Sequence, residues 1–227
     1  MTKRPLVPLA CLLLAVAATP ASGGRGALTI SVRPLVVPSA ISPHYGGLEV
    51  AGTLAGGAPG RSVSVEANEC TYPGWRHVAT VPTDPGGAWR VRFDANSSVG
   101  RTKTTFRASW HGTKSRTVVV QTRPGVELEQ RRGGRWAVGM LAERSFLDRV
   151  GQLQRYDRSR GRWVLVKRFT FSEKFSVPPT AGGFGGAWTN AYLRAKVARG
   201  TQLRAYVPRA QLRPCYLAGY SPITTAR

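Results

Sequence analysis

Residues 74–93 have the sequence GWRHVATV-PTDPGG-AWRVRF. In the last part, Trp89, Val91 and Phe93 alternate with arginines, which is the period of a strand buried on one face. The turn before it contains Pro85, which presets φ, and two glycines that can take positive φ. The segment therefore predicts a β-hairpin that places a Trp-Val-Phe stripe in a hydrophobic core.

Short segments with a strand-like pattern continue on both sides of this hairpin. Seven of them precede Arg123: 27–37, 47–54, 63–67, 75–81, 88–93, 104–109 and 116–121. After Arg123, Pro124 and Gly125, seven more follow: 126–130, 135–140, 149–156, 162–170, 191–197, 201–206 and 216–224. Seven short strands in about a hundred residues, separated by turn signals, are typical of an immunoglobulin-like sandwich.

The two halves match each other at a nearly constant offset. Leu48 corresponds to Trp136, 88 residues later, and Phe106 corresponds to Leu203, 97 residues later. The nine-residue difference indicates an insertion in the second copy, for which segment 178–186 is the candidate. The sequence therefore predicts an all-β protein with two tandem immunoglobulin-like β-sandwich domains, at 24–123 and 124–227.

Residues 1–23 have the features of a secretory signal peptide. Lys3 and Arg4 form a short basic region, 6–18 an apolar run, and 19–23 a small-residue cleavage site. The run is short for a membrane span, and no later run is apolar enough to cross a bilayer. We therefore expect the mature protein to be exported, soluble and secreted, with possible association with the cell wall.

The chain is strongly basic, with a formal net charge of +22. Residues 25–123 contribute +7 and residues 124–227 contribute +13. A protein this basic adheres to polyanions such as nucleic acid, anionic wall polymer or lipid head groups. Most of the positive residues are arginines spread along the chain, so charge alone identifies no specific partner.

Two arginine-rich stretches of the second half are the candidates for polyanion contact. They contain Arg131, Arg132, Arg135, Arg155, Arg158, Arg160 and Arg162. Phosphates could dock on such a face while an aromatic ring such as Trp163 stacks. The alternative is two solvated hairpin tips with Trp163 buried, as Trp75 would be in the first copy. Selective nucleic-acid binding would need a continuous basic face with exposed aromatics, whereas spread charge gives only non-specific adhesion.

A glycine-rich segment, GGFGG at 182–186, predicts a hairpin tip. Phe184 and Trp188 would form a partner-contact loop if they were exposed there, because aromatic side chains on loops bury large areas on binding. The alternative is that both rings pack onto the sandwich.

No pattern of catalytic or metal-binding residues is present in the sequence. His44, His77 and His111 lack metal-ligand spacing, and no Gly-X-Ser-X-Gly elbow occurs. The sequence therefore predicts a non-catalytic binding or structural module of the cell envelope, with no cofactor. Its partners would be an anionic cell-wall polymer or polysaccharide, or another envelope protein. The alternative is an enzyme, a hydrolase whose carboxylates are brought together only by the fold.

Removal of the signal peptide removes Cys11 and leaves Cys70 and Cys215 in an oxidising compartment. Strand ends of a sandwich alternate between two poles. Cys70 follows the third strand of the first domain, and Cys215 lies between the sixth and seventh strands of the second. Both therefore face the domain junction, which predicts a disulfide that fixes the angle between the domains. The alternatives are two free thiols or a cross-link between chains.

Several segments resemble exported bacterial immunoglobulin-like repeat proteins of the actinobacterial kind. They are Gly-Thr-Leu at 52–54, VSVEANEC at 63–70, Trp75, Thr83-Asp84 with Gly87 and Trp89, TFRA at 105–108, and PCYLAGYS at 214–221. The resemblance covers most of the mature chain and rests on residues that maintain the fold. It implies a two-domain β-sandwich and no activity, because a fold does not determine a function.

Overall fold

The computed structural model describes residues 27–34, 47–94, 97, 99–177 and 186–227. The predicted signal peptide, Phe184 and nearly all of the predicted insertion 178–186 lie outside these residues. The first half contains β1 (Ser31–Pro34), β2 (Leu48–Thr53), β3 (Ser62–Glu69), β4 (Arg76–Pro82), β5 (Ala88–Phe93), β6 (Thr104–Trp110), β7 (Thr113–Lys114) and β8 (Val118–Val120).

The second half begins with β9 (Gly125–Arg131), a 3₁₀ turn (Arg132–Gly134), β10 (Arg135–Ala142), β11 (Val150–Asp157) and β12 (Arg162–Thr170). It continues with β13 (Glu173–Val177), β14 (Gly186–Arg194), β15 (Gln202–Val207), the short helix α1 (Arg209–Leu212), β16 (Gly219–Tyr220) and β17 (Thr224–Thr225). The described chain is thus all-β apart from single helical turns.

In each half, two antiparallel sheets face each other, as in an immunoglobulin-like sandwich. The first half has the sheet β1-β2-β5 and the sheet β4-β3-β6-β7, with β8 also paired to β6. The second half has the sheet β13-β14-β10-β9 and the sheet β12-β11-β15-β16, with β17 also paired to β15. Each pair of sheets encloses a separate hydrophobic cluster, centred on Val50, Val65 and Phe106 in the first half and on Trp136, Leu153 and Leu203 in the second. The predicted fold class is confirmed.

The hairpin at 74–93 enters the first core as predicted. Trp89 is 3% exposed and Phe93 is 8% exposed, and both belong to the buried cluster. The Trp89 ring lies over Gly52 on the paired strand β2, where an added Cβ would approach a ring carbon to 2.5 Å. Such a Cβ would also lie 2.0 Å from the Thr29 carbonyl oxygen, so Gly52 is needed because this backbone group and the indole occupy the space of a side chain.

The two halves are related by the predicted repeat. Strands β3 and β11 lie 88 residues apart, and their partner strands β4 and β12 each contain a β-bulge at the equivalent residues Val78 and Val166, opposite the Val65–Glu66 and Leu153–Gln154 steps. Ala108 and Ala205, 97 residues apart, pair with the equivalent residues Val65 and Leu153. Because a bulge re-aims the side chains next to it, the two copies present Glu66 and Gln154 in the same way.

Two of the predicted strands are wrong. The strand expected at 191–197 instead spans Gly186–Arg194, because β13, which the sequence did not predict, pairs with its first half. The alternating pattern continues to Val197 because Ala195 and Val197 still pack on the core after the ladder has ended. The strand expected at 216–224 is reduced to β16 and β17, which are preceded by α1.

The two halves are linked by a disulfide between Cys70 and Cys215, with a Cα–Cα distance of 5.3 Å. The predicted pairing is confirmed. Backbone hydrogen bonds flank it: Lys103 N donates to Cys215 O at 2.8 Å, and Leu217 N donates to Thr122 O at 2.9 Å. The segment after α1 is therefore attached to the first half by covalent and polar contacts.

Candidate functional site

The arginine-rich hairpins of the second half lie at one end of its sandwich, which we call the distal pole. The opposite end contains the disulfide, and Val150 at the start of β11 donates its N–H there to Gln211 Oε1 of α1. Strand β11 runs from that end to the distal pole, where Leu203 pairs with both Arg155 and Thr224. The C-terminal residue Arg227 then exchanges two hydrogen bonds with the Gln130 side chain of β9. Both predicted hairpin tips therefore share this pole.

All seven predicted arginines are exposed. Only two of them pair with a carboxylate in the described part of the chain: Arg131 with Glu129 at 2.6 Å and Arg160 with Asp157 at 3.8 Å. The pKa of Asp157 is held below its usual range because the carboxylate accepts hydrogen bonds from the Ser159 hydroxyl and from the backbone N–H groups of Arg160 and Ser159. The positive charge of Arg160 lowers it further. The remaining arginines contact solvent without an internal counter-charge among these residues, so the pole is strongly positive.

Three further arginines, not predicted from the sequence, line the grooves of the distal pole: Arg194, Arg199 and Arg227. One open groove of about 520 Å³ is bordered by Arg131, Arg135, Arg194 and Tyr192. The three further arginines come from the end of β14, from the connection between β14 and β15, and from the last residue of the sequence, which only the fold brings next to the two hairpins. No local sequence signal could have identified them.

A second cluster lies on the outer face of the sheet β12-β11-β15-β16. We call this cluster the Arg204 face, and it consists of Arg123, Trp163, Arg204, Tyr206 and Tyr220. The Arg204 guanidinium carbon lies 4.4 Å from the centre of the Trp163 ring, 4.7 Å from that of Tyr220 and 5.8 Å from that of Tyr206. The two tyrosine rings stack at 5.1 Å, and Arg123 lies 5.2 Å from the Tyr220 ring centre.

The strand pattern explains why Arg204 points outward. Leu203 and Ala205 are fully buried, so Arg204 and Tyr206 occupy the opposite face of β15. The Arg204 Nε–H donates to Gln154 Oε1 at 2.9 Å. Burial lowers the pKa of the Arg204 guanidinium, and the two neighbouring tyrosines oppose this shift. The alternation in residues 202–207 could have identified this pair, but sequence analysis did not single it out.

The expectation that Trp75 and Trp163 are core residues is wrong. Both are half-buried on outer faces, each beneath an arginine. In the first sandwich Arg107 lies 3.9 Å from the Trp75 ring centre, and its Nε–H donates to Glu66 at 2.7 Å. The Arg–Trp pair is therefore repeated in both copies.

Trp188 does not lie on a loop. It is a half-buried residue of β14 whose ring covers Gly139 of β10, where an added Cβ would approach a ring carbon to 2.4 Å. Its Nε1–H donates to Asn190 Oδ1. Phe175 and Tyr192, both more than half exposed, lie on either side of it along the sheet.

The described residues contain no group of three or more histidine, cysteine or acidic side chains that could hold a metal ion. His77 contacts Ser64 and Thr80, and His44 lies outside the described part of the chain. Glu143, at the junction, accepts a hydrogen bond from the Thr71 hydroxyl at 2.5 Å, and burial raises its pKa. No helix among these residues is long and apolar enough to cross a bilayer.

No family model matches the sequence, and no curated protein matches it. Many solved structures align with the chain, and two of them illustrate how low the similarity is. One is a tetra-tandem repeat in the extending region of a large adhesion protein: 14% identity over 89% of this chain and 49% of that chain, with a TM-score of 0.37. The other is the chicken interferon gamma receptor alpha chain: 12% identity over 89% of this chain and 98% of that chain, with a TM-score of 0.36. The chain thus spans about half the length of the adhesion structure, and similarities this low imply no function.

Proposed function

We propose that the chain is an exported, non-catalytic binding module of the cell envelope that holds anionic polymers at the distal pole of its second sandwich. The observation that supports this is the convergence of seven exposed arginines from two hairpins in different sheets. Only Glu129 and Asp157 offset their charge within the described residues. A cluster of like charges at one end repels itself, and an anionic polymer would relieve that repulsion.

The disulfide supports a location outside the cytoplasm, where such bonds persist. We propose domain boundaries at 24–123 and 124–227, because each range contains its own hydrophobic cluster apart from Cys70. The predicted signal peptide at 1–23, an actinobacterial kinship and attachment to the cell wall remain part of this proposal.

The test compares two variants that each lose three positive charges. The pole variant replaces Arg132, Arg158 and Arg162, which are exposed and have no carboxylate partner among the described residues, with Gln. The control variant replaces Arg61, Arg90 and Arg116, which are equally exposed on the first sandwich, with Gln. Both are measured for binding to polygalacturonate and to duplex DNA at low salt.

At about 1 kcal/mol for each arginine near an anionic surface, the pole variant should lose roughly a hundredfold in affinity. The control should stay close to the wild type, and all binding by this pole should weaken steeply as salt rises. Equal losses in the two variants would show that the chain adheres through its total charge and has no binding pole.

A further inference from the structure

The Arg204 face and its counterpart in the first sandwich have the same strand arrangement and the same arginine–tryptophan pair, but they differ in charge. In the first sandwich Glu66 of β3 lies opposite the bulge of β4 and forms an ion pair with Arg107 at 2.7 Å. In the second sandwich Gln154 of β11 lies opposite the equivalent bulge of β12 and gives Arg204 an amide oxygen at 2.9 Å. The first arginine is therefore neutralised by its partner, and the second keeps its full positive charge.

Among the described residues, no carboxylate is paired across the outer face of this sheet to compensate for the difference. The pairs on that face are Gln152 with Tyr206, Gln152 with Arg168, Gln154 with Arg204, Gln154 with Leu165, Tyr156 with Trp163, and Tyr206 with Tyr220. A half-buried cation without a counter-charge loses solvation, and a glutamate at position 154 would remove that cost, as it does in the first copy. The Nε–H of Arg204 is used by Gln154, and the two Nη groups of an arginine fork are suited to bidentate recognition of an oxyanion.

The surroundings of Arg204 indicate which oxyanion would fit. Trp163 and Tyr220 both lie within cation–π distance of the same guanidinium, so Arg204 already covers part of the ring surface on which a base would stack. The rim that remains is mainly polar and cationic and also contains the exposed side chain of Leu165; its polar members are Arg123, Gln152, Arg168, Tyr206 and Tyr220. Such a rim offers hydrogen-bonding groups for sugar hydroxyls and positive charge for an acidic group.

We propose that the Arg204 face recognises a carboxylate-bearing sugar of an acidic polysaccharide, with Arg204 binding the carboxylate. This inference rests on the proposed function. The distal pole attracts anionic polymers in general, and the Arg204 face would add selectivity for one class of them. The equivalent face of the first sandwich does not bind this sugar, because the Arg107 guanidinium is already paired with the Glu66 carboxylate.

The experiment uses Gln154→Glu, which gives the second sandwich the charge arrangement of the first. Glu66 already occupies the equivalent position opposite the bulge of β4, so the fold should accept the substitution, and a thermal unfolding curve checks this. Binding to polygalacturonate is measured near 0.5 M salt, where the Debye length is only about 4–5 Å and the distal pole is largely screened. The matched control is Glu66→Gln, which frees Arg107.

We expect the wild type to retain binding at high salt, and Gln154→Glu to lower the affinity about tenfold or more. Fully methyl-esterified polygalacturonate, which lacks the carboxylates, should not bind. Glu66→Gln should leave existing binding intact and can only add to it.

Three results would overturn the assignment: no wild-type binding to polygalacturonate at high salt, equal binding by Gln154→Glu, or equal binding of the methyl ester. Stronger retention of oligothymidylate, or of a poly(glycerol phosphate), would also reject it in favour of nucleic acid or a phosphate polymer. The Arg132, Arg158 and Arg162 variant at low salt tests the distal pole separately, so either proposal can fail without the other.

Discussion

Replacing Cys70 and Cys215 with Ser should greatly reduce the stability of the protein, and the size of the loss follows from the position of the bridge. The two cysteines are 145 residues apart in sequence. On the chain-entropy model, closing a loop of that length stabilises the folded state by about 5 kcal/mol when the whole chain unfolds.

The expected loss is similar when only one sandwich unfolds. If the second unfolds alone, the open segment runs from Arg123 to Cys215, about 92 residues, and closing it is worth about 4.6 kcal/mol. If the first unfolds alone, the segment runs from Cys70 to Pro124, about 54 residues, and closing it is worth about 4.2 kcal/mol. The logarithmic dependence on loop length makes the prediction independent of the order of unfolding.

The assay is guanidinium unfolding of the oxidised wild type and of the double serine variant, followed by tryptophan fluorescence and far-ultraviolet circular dichroism. The control is Thr71→Val, which removes the neighbouring hydrogen bond to Glu143 but keeps the bridge. It should cost about 1–3 kcal/mol, because a buried acceptor loses its partner. A loss below about 1 kcal/mol in the double variant would refute the entropic reasoning. The hydrogen bonds at the junction would then hold the halves together without the covalent link.

Two further predictions concern the first core and the junction. A fragment of residues 24–123 with Cys70→Ser should unfold in one cooperative transition. In this fragment Trp89→Ala should lower the free energy of unfolding by about 3–5 kcal/mol. The control Tyr72→Ala, at a site 59% exposed, should lower it by less than about 1 kcal/mol. A fragment without a cooperative transition would contradict the domain boundary. Burial raises the pKa of Glu143 above its unfolded value, so the folded state is favoured while this group is protonated and loses stability as pH rises through the folded-state pKa. Glu143→Gln should therefore raise the melting temperature at pH 7 relative to wild type and have little effect near pH 4, and an equal effect at both pH values would exclude burial of the charge as the cause.

The sequence predicted the features that depend on local pattern and turn chemistry. The alternation of Trp89 and Phe93 identified a buried strand face, and the bounds of β5 and β12 agree with the structure. The strand count also placed both cysteines at the junction. Where the pattern was ambiguous the prediction failed. Ala195 and Val197 remain apolar because they pack on the core, so the alternation continued past the end of β14.

The candidate surfaces were predicted only in part, because their residues are brought together by strand pairing. The seven arginines of the two hairpins could be found as local runs, whereas Arg194 and Arg227 reach the same pole from distant parts of the chain. The Arg204 face was missed because its tyrosines belong to β15 and β16, and its tryptophan to β12. The signal in the sequence is that an arginine recurs 97 residues later and a tryptophan 88 residues later, the two offsets of the repeat. This recurrence could have identified the arginine–tryptophan pair.

The second sandwich contains more structural elements than the first. Ser115 and Ser221 make the same contacts: each hydroxyl accepts the N–H of the paired alanine and donates to the following carbonyl. The chain takes seven residues to reach that serine from Ala108 and sixteen from Ala205. The nine extra residues include α1 and Cys215, so the bridge to Cys70 depends on an insertion in the second copy alone. Strand β13 and a glutamine at the position equivalent to Glu66 are also confined to that copy. A simpler first repeat, linked by a disulfide to a second one that carries the extra elements and the uncompensated arginine, is the arrangement expected if the first supports and the second binds.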